Sequence, residues 1–178
     1  MNLLPGDILA VDTRSPMGWF IKFGAWLRHQ DFKHDHIVIY THTLPDGARM
    51  GIEARPGGVG WVDLKEYKEV AWVSNAEQPK TLAQRDFIVR NAKALLRTRY
   101  DLMAIVDDAS MALLNRKAIW WSRDFGDKLP SHVVCSSYAV WLVHHAGLGY
   151  PDQKGERWTT PADWVDWINA KGWERWSL

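Results

Sequence analysis

Two β-prone runs flank the turn Pro45-Asp46-Gly47, and the hairpin they make constrains this chain more than any other feature. His36-Ile37-Val38-Ile39-Tyr40 is β-branched and aromatic, and Met50-Gly51-Ile52-Glu53-Ala54 is the returning strand. Successive side chains of a strand point to opposite faces, so the register decides which polar residues meet. Pairing Thr41 with Ala48 across the turn sets His36 opposite Glu53 on one face, Val38 opposite Gly51 and Tyr40 opposite Arg49. A carboxylate beside an imidazole fixes its tautomer and stabilises its protonated form.

The rest of the chain is read outward from that hairpin. Pro5-Gly6 turns into a short strand over Asp7 to Val11. Ser15 followed by Pro16 is a helix cap and first turn, and the helix runs from Met17 to His29 with Phe20, Ile21, Ala25 and Leu27 among its apolar residues. Pro56-Gly57-Gly58 breaks the returning strand, and Val70 to Ser74 is a further strand. Thr81 with Gln84 forms a capping box for a helix that reaches Arg97. Residues 101–121 read as helical with breaks; Pro130-Ser131 opens a helix that Gly147 closes, and Thr160-Pro161-Ala162-Asp163 starts the last helix. Strands cluster early and helices late, which predicts an α+β fold with an antiparallel sheet packed against helices. With 178 residues, no repeat and no linker, residues 1–178 read as a single domain.

Composition narrows the function. At 47% hydrophobic residues the chain can build a core. Lys and Arg number 22 against 21 Asp and Glu, a balance of +1 that gives no global pull toward nucleic acid. One cysteine permits no intramolecular disulfide. Met1 to Asp7 lacks a positive n-region and an apolar h-region, and no uncharged apolar run reaches ~18 residues. The expected setting is the cytoplasm, with carriage in a phage particle as the alternative. The 12 tryptophans read as packing residues, or as a groove around Trp158, Trp164, Trp167, Trp173 and Trp176.

Cys135 falls just inside the N-terminus of the helix expected from Ser131. Unsatisfied amides there carry roughly half a positive charge, which favours thiolate and can bind an oxyanion. The bland alternative is a small buried hydrophobe. His36 opens its strand after the polar stretch Phe32-Lys33-His34-Asp35 and competes with His29, His34, His42, His132, His144 and His145. The last two sit at the far end of the cysteine helix, about two to three turns from Cys135, and are read as non-catalytic. His34 and His36 are the only close pair of ligand type, so no metal or other cofactor is expected.

These segments together resemble the circularly permuted NlpC-type branch of papain-like proteins, the YiiX-like group, with lecithin-retinol-acyltransferase-like proteins as relatives. Pro5-Gly6-Asp7-Ile8-Leu9 resembles its opening strand, Asp35-His36-Ile37-Val38-Ile39 its histidine strand, and Ile52-Glu53-Ala54 with Gly58-Val59 its acidic strand and turn. Tyr100-Asp101, Cys135-Ser136-Ser137-Tyr138 and Thr160-Pro161-Ala162-Asp163 resemble its tyrosine-aspartate pair, cysteine helix and C-terminal turn. The order histidine, acid, cysteine is the more specific feature, since unpermuted papain-like chains run cysteine first. The resemblance implies Cys135 as nucleophile, His36 as base, Glu53 as orienting group, and Tyr100 and Ser136 at the substrate. Ser137 departs from the pattern, where related sequences carry an acidic residue.

The implied activity is a cysteine-dependent amidohydrolase or peptidase working through a thioester, on peptidoglycan stem peptides or similar amide bonds. One alternative is a lipid-directed thiol hydrolase or acyltransferase. Leu102 to Trp121 is its candidate membrane-facing element, but Asp107-Asp108 breaks the apolar face, so a lid or packing element is favoured and membrane contact is not expected. The other alternative is a non-enzymatic structural or binding module that retains the fold, for example a phage tail or capsid component with phage-particle proteins as partners.

Overall fold

The computed structural model describes residues 3–27, 33–67, 69–72, 81–101, 130–151, 159–170 and 175–177. Its elements run β1 (Ile8–Val11), α1 (Pro16–Leu27), β2 (His36–Thr43), β3 (Arg49–Arg55), β4 (Gly58–Asp63), a 3₁₀ turn (Leu64–Glu66) and β5 (Glu69–Trp72). After these come α2 (Leu82–Ala94), β6 (Arg99–Tyr100), β7 (His132–Val133), α3 (Cys135–His145), α4 (Pro161–Ala170) and β8 (Arg175–Ser177). Six strands form a sheet in the order β4-β3-β2-β1-β5-β8, with every neighbouring pair antiparallel. The class is α+β, as the sequence predicts. The expected helix over residues 101–121 lies almost wholly outside the described residues.

Alternation along the strands divides the core. Ile8, Ala10, Ile37, Ile39, Ile52 and Ala54 face α2, α3 and α4, while Leu9, Val11, Val38 and Tyr40 pack with Val62, Leu64 and Tyr67 on the other face. The buried Asp7 carboxylate ties the two layers together. It accepts the Leu4 N–H at 2.8 Å and pairs with Arg85 of α2 at 2.9 Å. The caps predicted at Ser15, Thr81 and Thr160 form, with the Ser15 hydroxyl accepting the Gly18 N–H at 2.9 Å. Thr81 and Gln84 bond reciprocally at the start of α2, and Thr160 and Asp163 do the same at the start of α4.

Two expectations need correction. The hairpin register is two residues away from the one expected: Val38 pairs with Glu53 and Tyr40 with Gly51. The turn closes between Leu44 and Ala48, whose N–H and C=O bond at 2.8 Å, and the register then shifts across Thr41. Thr41 is an extra residue in a bulge, and its hydroxyl donates to the Met50 carbonyl at 2.8 Å. A shift of two preserves the face, so His36 and Glu53 remain on one side as diagonal neighbours. The cysteine helix also starts later than expected. His132–Val133 pairs in parallel with Arg99–Tyr100, and helical backbone begins at Cys135 itself. The β-branched pair Val133-Val134 favours extended backbone there over another helical turn.

Candidate active site

His36 is the first residue of β2, and Glu53 projects from β3 on the same face. His36 Nε2 lies 2.7 Å from Glu53 Oε2, with both side chains buried. The Tyr67 hydroxyl donates to that same oxygen, and Arg55 Nη1 stands 3.1 Å from Oε1 as an ion pair. With Nε2–H directed at Glu53, Nδ1 is the nitrogen left to act as base.

Cys135 is buried and is the first helical residue of α3, with Val134 as its cap. Its sulfur lies close enough to the His36 imidazole for the two groups to interact electrostatically. Ser137 turns back on the cap: its hydroxyl accepts the Val134 N–H at 3.2 Å and donates to the Val134 carbonyl at 3.2 Å. The N–H groups of Cys135, Ser136 and Ser137 precede the first intrahelical donor, so they carry the positive end of the helix.

Electrostatics couple these groups. Burial alone would push the His36 imidazole down, but attraction to the Cys135 sulfur and the Glu53 carboxylate outweighs it and raises His36 from 6.5 to about 10. Burial pushes the Glu53 carboxyl up, and His36, Tyr67 and Arg55 together bring it below the ordinary value. The hydroxyls of Tyr67 and Tyr100 are both raised, first by burial. The nearby Glu53 charge adds to the shift at Tyr67, and the charges of Cys135 and Glu53 add to it at Tyr100.

Cys135, His36, Glu53 and Tyr100, all named from the sequence, therefore come together. The β6–β7 ribbon sets Tyr100 beside Val133, two residues before Cys135. Ser136 is buried, and its carbonyl accepts from Trp164 Nε1 at 3.4 Å, which anchors α4 to the cysteine helix. Trp164 is thus core rather than groove, and Trp158 and Trp173 lie outside the described residues. Among the described residues no group of three or more His, Cys, Asp and Glu could hold a metal ion.

Tyr67, Arg55 and Asp35 were not identified from the sequence. Arg55 could have been, since it lies two residues beyond Glu53 and so on its face. Tyr67 reaches Glu53 only because the 3₁₀ turn folds the chain back, which no periodicity announces. Buried Asp35, next to His36, accepts from the Thr13 N–H at 2.9 Å and the Thr13 hydroxyl at 3.0 Å, which holds the start of α1 against the site. Compared with models of known protein families and with curated proteins, the chain matches none.

Proposed function

We propose that the chain is a cysteine amidohydrolase of the circularly permuted papain-like kind, cleaving amide bonds of peptidoglycan stem peptides or similar peptides through a thioester. The observation that carries this reading is the chain of contacts from the Cys135 thiol to His36 and from His36 Nε2 to Glu53 at 2.7 Å. His36 Nδ1 takes the thiol proton, and the sulfur attacks the substrate carbonyl carbon. The oxyanion forms beside the amides at the start of α3, which need no rearrangement to receive it. As the carbon–nitrogen bond breaks, the His36 imidazolium protonates the departing amine. Water, deprotonated by His36, then attacks the thioester, and the thiolate leaves as the acid is released. Glu53 keeps Nε2 protonated and stabilises the imidazolium throughout.

The test is incubation with purified peptidoglycan and with a phospholipid panel, analysed by mass spectrometry, with Cys135→Ser as control. New stem-peptide amines that depend on Cys135 are expected. Products only from the lipids would replace this reading with the lipid-directed one. Slow alkylation of Cys135 at neutral pH, with no product from either panel, would indicate a non-enzymatic module.

A further inference from the structure

Helix α1 is built inside out. Among its described side chains the buried positions are small: Ala25 is 7% exposed, and a Cβ added to Gly18 would sit 1.7 Å from Asp35 Oδ2, so only glycine allows this approach. Its outward residues are large. Trp19 is 75% exposed, Trp26 57% and Phe23 47%, and the rings of Phe23 and Trp26 stack with centroids 5.8 Å apart. Positions 19, 23 and 26 follow the i, i+4, i+7 spacing of a single helical stripe. An ordinary surface helix does the reverse, with large apolar residues inward. A contiguous exposed aromatic patch marks a contact surface.

We propose that this stripe seats the protein on an anionic lipid bilayer beside the candidate active site. Trp rings carry an apolar body and a polar N–H, which suits the level of the headgroups. Between Asp12 and Asp31 the charged side chains are Arg14, Lys22 and Arg28, which leaves a net of one positive charge when the two flanking aspartates are counted. Lys22 is paired with Asp12 at 2.6 Å, so Arg14 at the entry to the helix carries the attraction to anionic headgroups. A second copy of the chain is a poorer occupant. Three aromatic rings exposed to this extent offer roughly 300–450 Å², whereas a stable pair buries ~800 Å² on each partner. The Asp35–Thr13 tether fixes the stripe relative to His36, so seating would set the distance of the site from the membrane. The proposal stands whichever bond Cys135 attacks.

The experiment is co-sedimentation of the full chain, carrying Cys135→Ser to remove any hydrolysis, with vesicles of phosphatidylcholine alone or mixed with phosphatidylglycerol. Binding to the mixed vesicles is expected. It should weaken at least tenfold on combined Trp19→Ser, Phe23→Ser and Trp26→Ser replacement, and should weaken also for Arg14→Glu. Thermal melts establish that the variants are folded; if the triple variant is not, Trp19→Ser alone, at a three-quarters exposed position, must show the same direction. The proposal is overturned if the parent stays in the supernatant, if the serine variants bind equally well, or if the stripe instead mediates dimers seen by gel filtration without vesicle binding.

Discussion

Glu53 uses two oxygens for three partners, and that arrangement sets what each neighbouring side chain does. His36 and Tyr67 share Oε2, while Arg55 takes Oε1. Tyr67→Phe removes one donor from a buried carboxylate, so the Glu53 carboxyl should rise toward its ordinary value. The expected outcome is an acid limb of the rate profile moved to higher pH, with a turnover loss smaller than for Cys135→Ser or His36→Ala. An unmoved acid limb would remove Tyr67 from the site. Cys135→Ser should lower turnover by about a thousandfold or more, with stability changed by less than about 1 kcal/mol, measured as turnover beside a thermal melt. If the variant turns over normally, or fails only because it unfolds, Cys135 is not the nucleophile. His36 has a folded value of about 10 against 6.5 ordinarily, so its protonation stabilises the fold fully below 6.5. That contribution fades as pH rises toward about 10. Urea midpoints should therefore fall across that window. In Cys135→Ser the fall should come at lower pH, because the attraction to the sulfur is gone. Identical curves for the two proteins would contradict the coupling.

At the level of elements, capping signals were the most legible part of the sequence, because Ser15, Thr81 and Thr160 act on backbone donors only three residues away. The β2–β3 register was legible only in its face. Thr41 adds its extra residue through a hydroxyl bond to the opposite strand, which the turn Pro45-Asp46-Gly47 does not encode. The start of α3 was misjudged because Pro130-Ser131 imitates a helix start, whereas the parallel pairing with β6 keeps residues 132–133 extended. The β3–β4 connection gives a direct check. Gly58 has φ +113°, and a Cβ there would lie 2.8 Å from the Thr98 carbonyl oxygen. Gly58→Ala should destabilise by at least ~1 kcal/mol through strain at that φ and a clash with backbone, read by chemical denaturation. A neutral result would mean that the β4–β6 junction is softer than this geometry implies.

Across the whole molecule, the sequence order of strands and helices carried the α+β class, because a sheet needs neighbours and the helices that follow can cover only one of its faces. The aromatic face of α1 was not legible. Phe20, Ile21, Ala25 and Leu27 read as ordinary core, and only the burial of Gly18 and Ala25 shows which way the helix turns. The base and its carboxylate come from one hairpin, but the thiol arrives from about a hundred residues further along the chain. Newly made protein therefore displays the hairpin first and the Cys135 sulfur later. Under the proposed mechanism His36 can act on the Cys135 thiol only once α3 docks on β2, so completion of the fold would itself be the activation step. A misfolded or half-made chain would carry no armed nucleophile into its surroundings, and the rate of thiol labelling during refolding would report the last long-range contact to form.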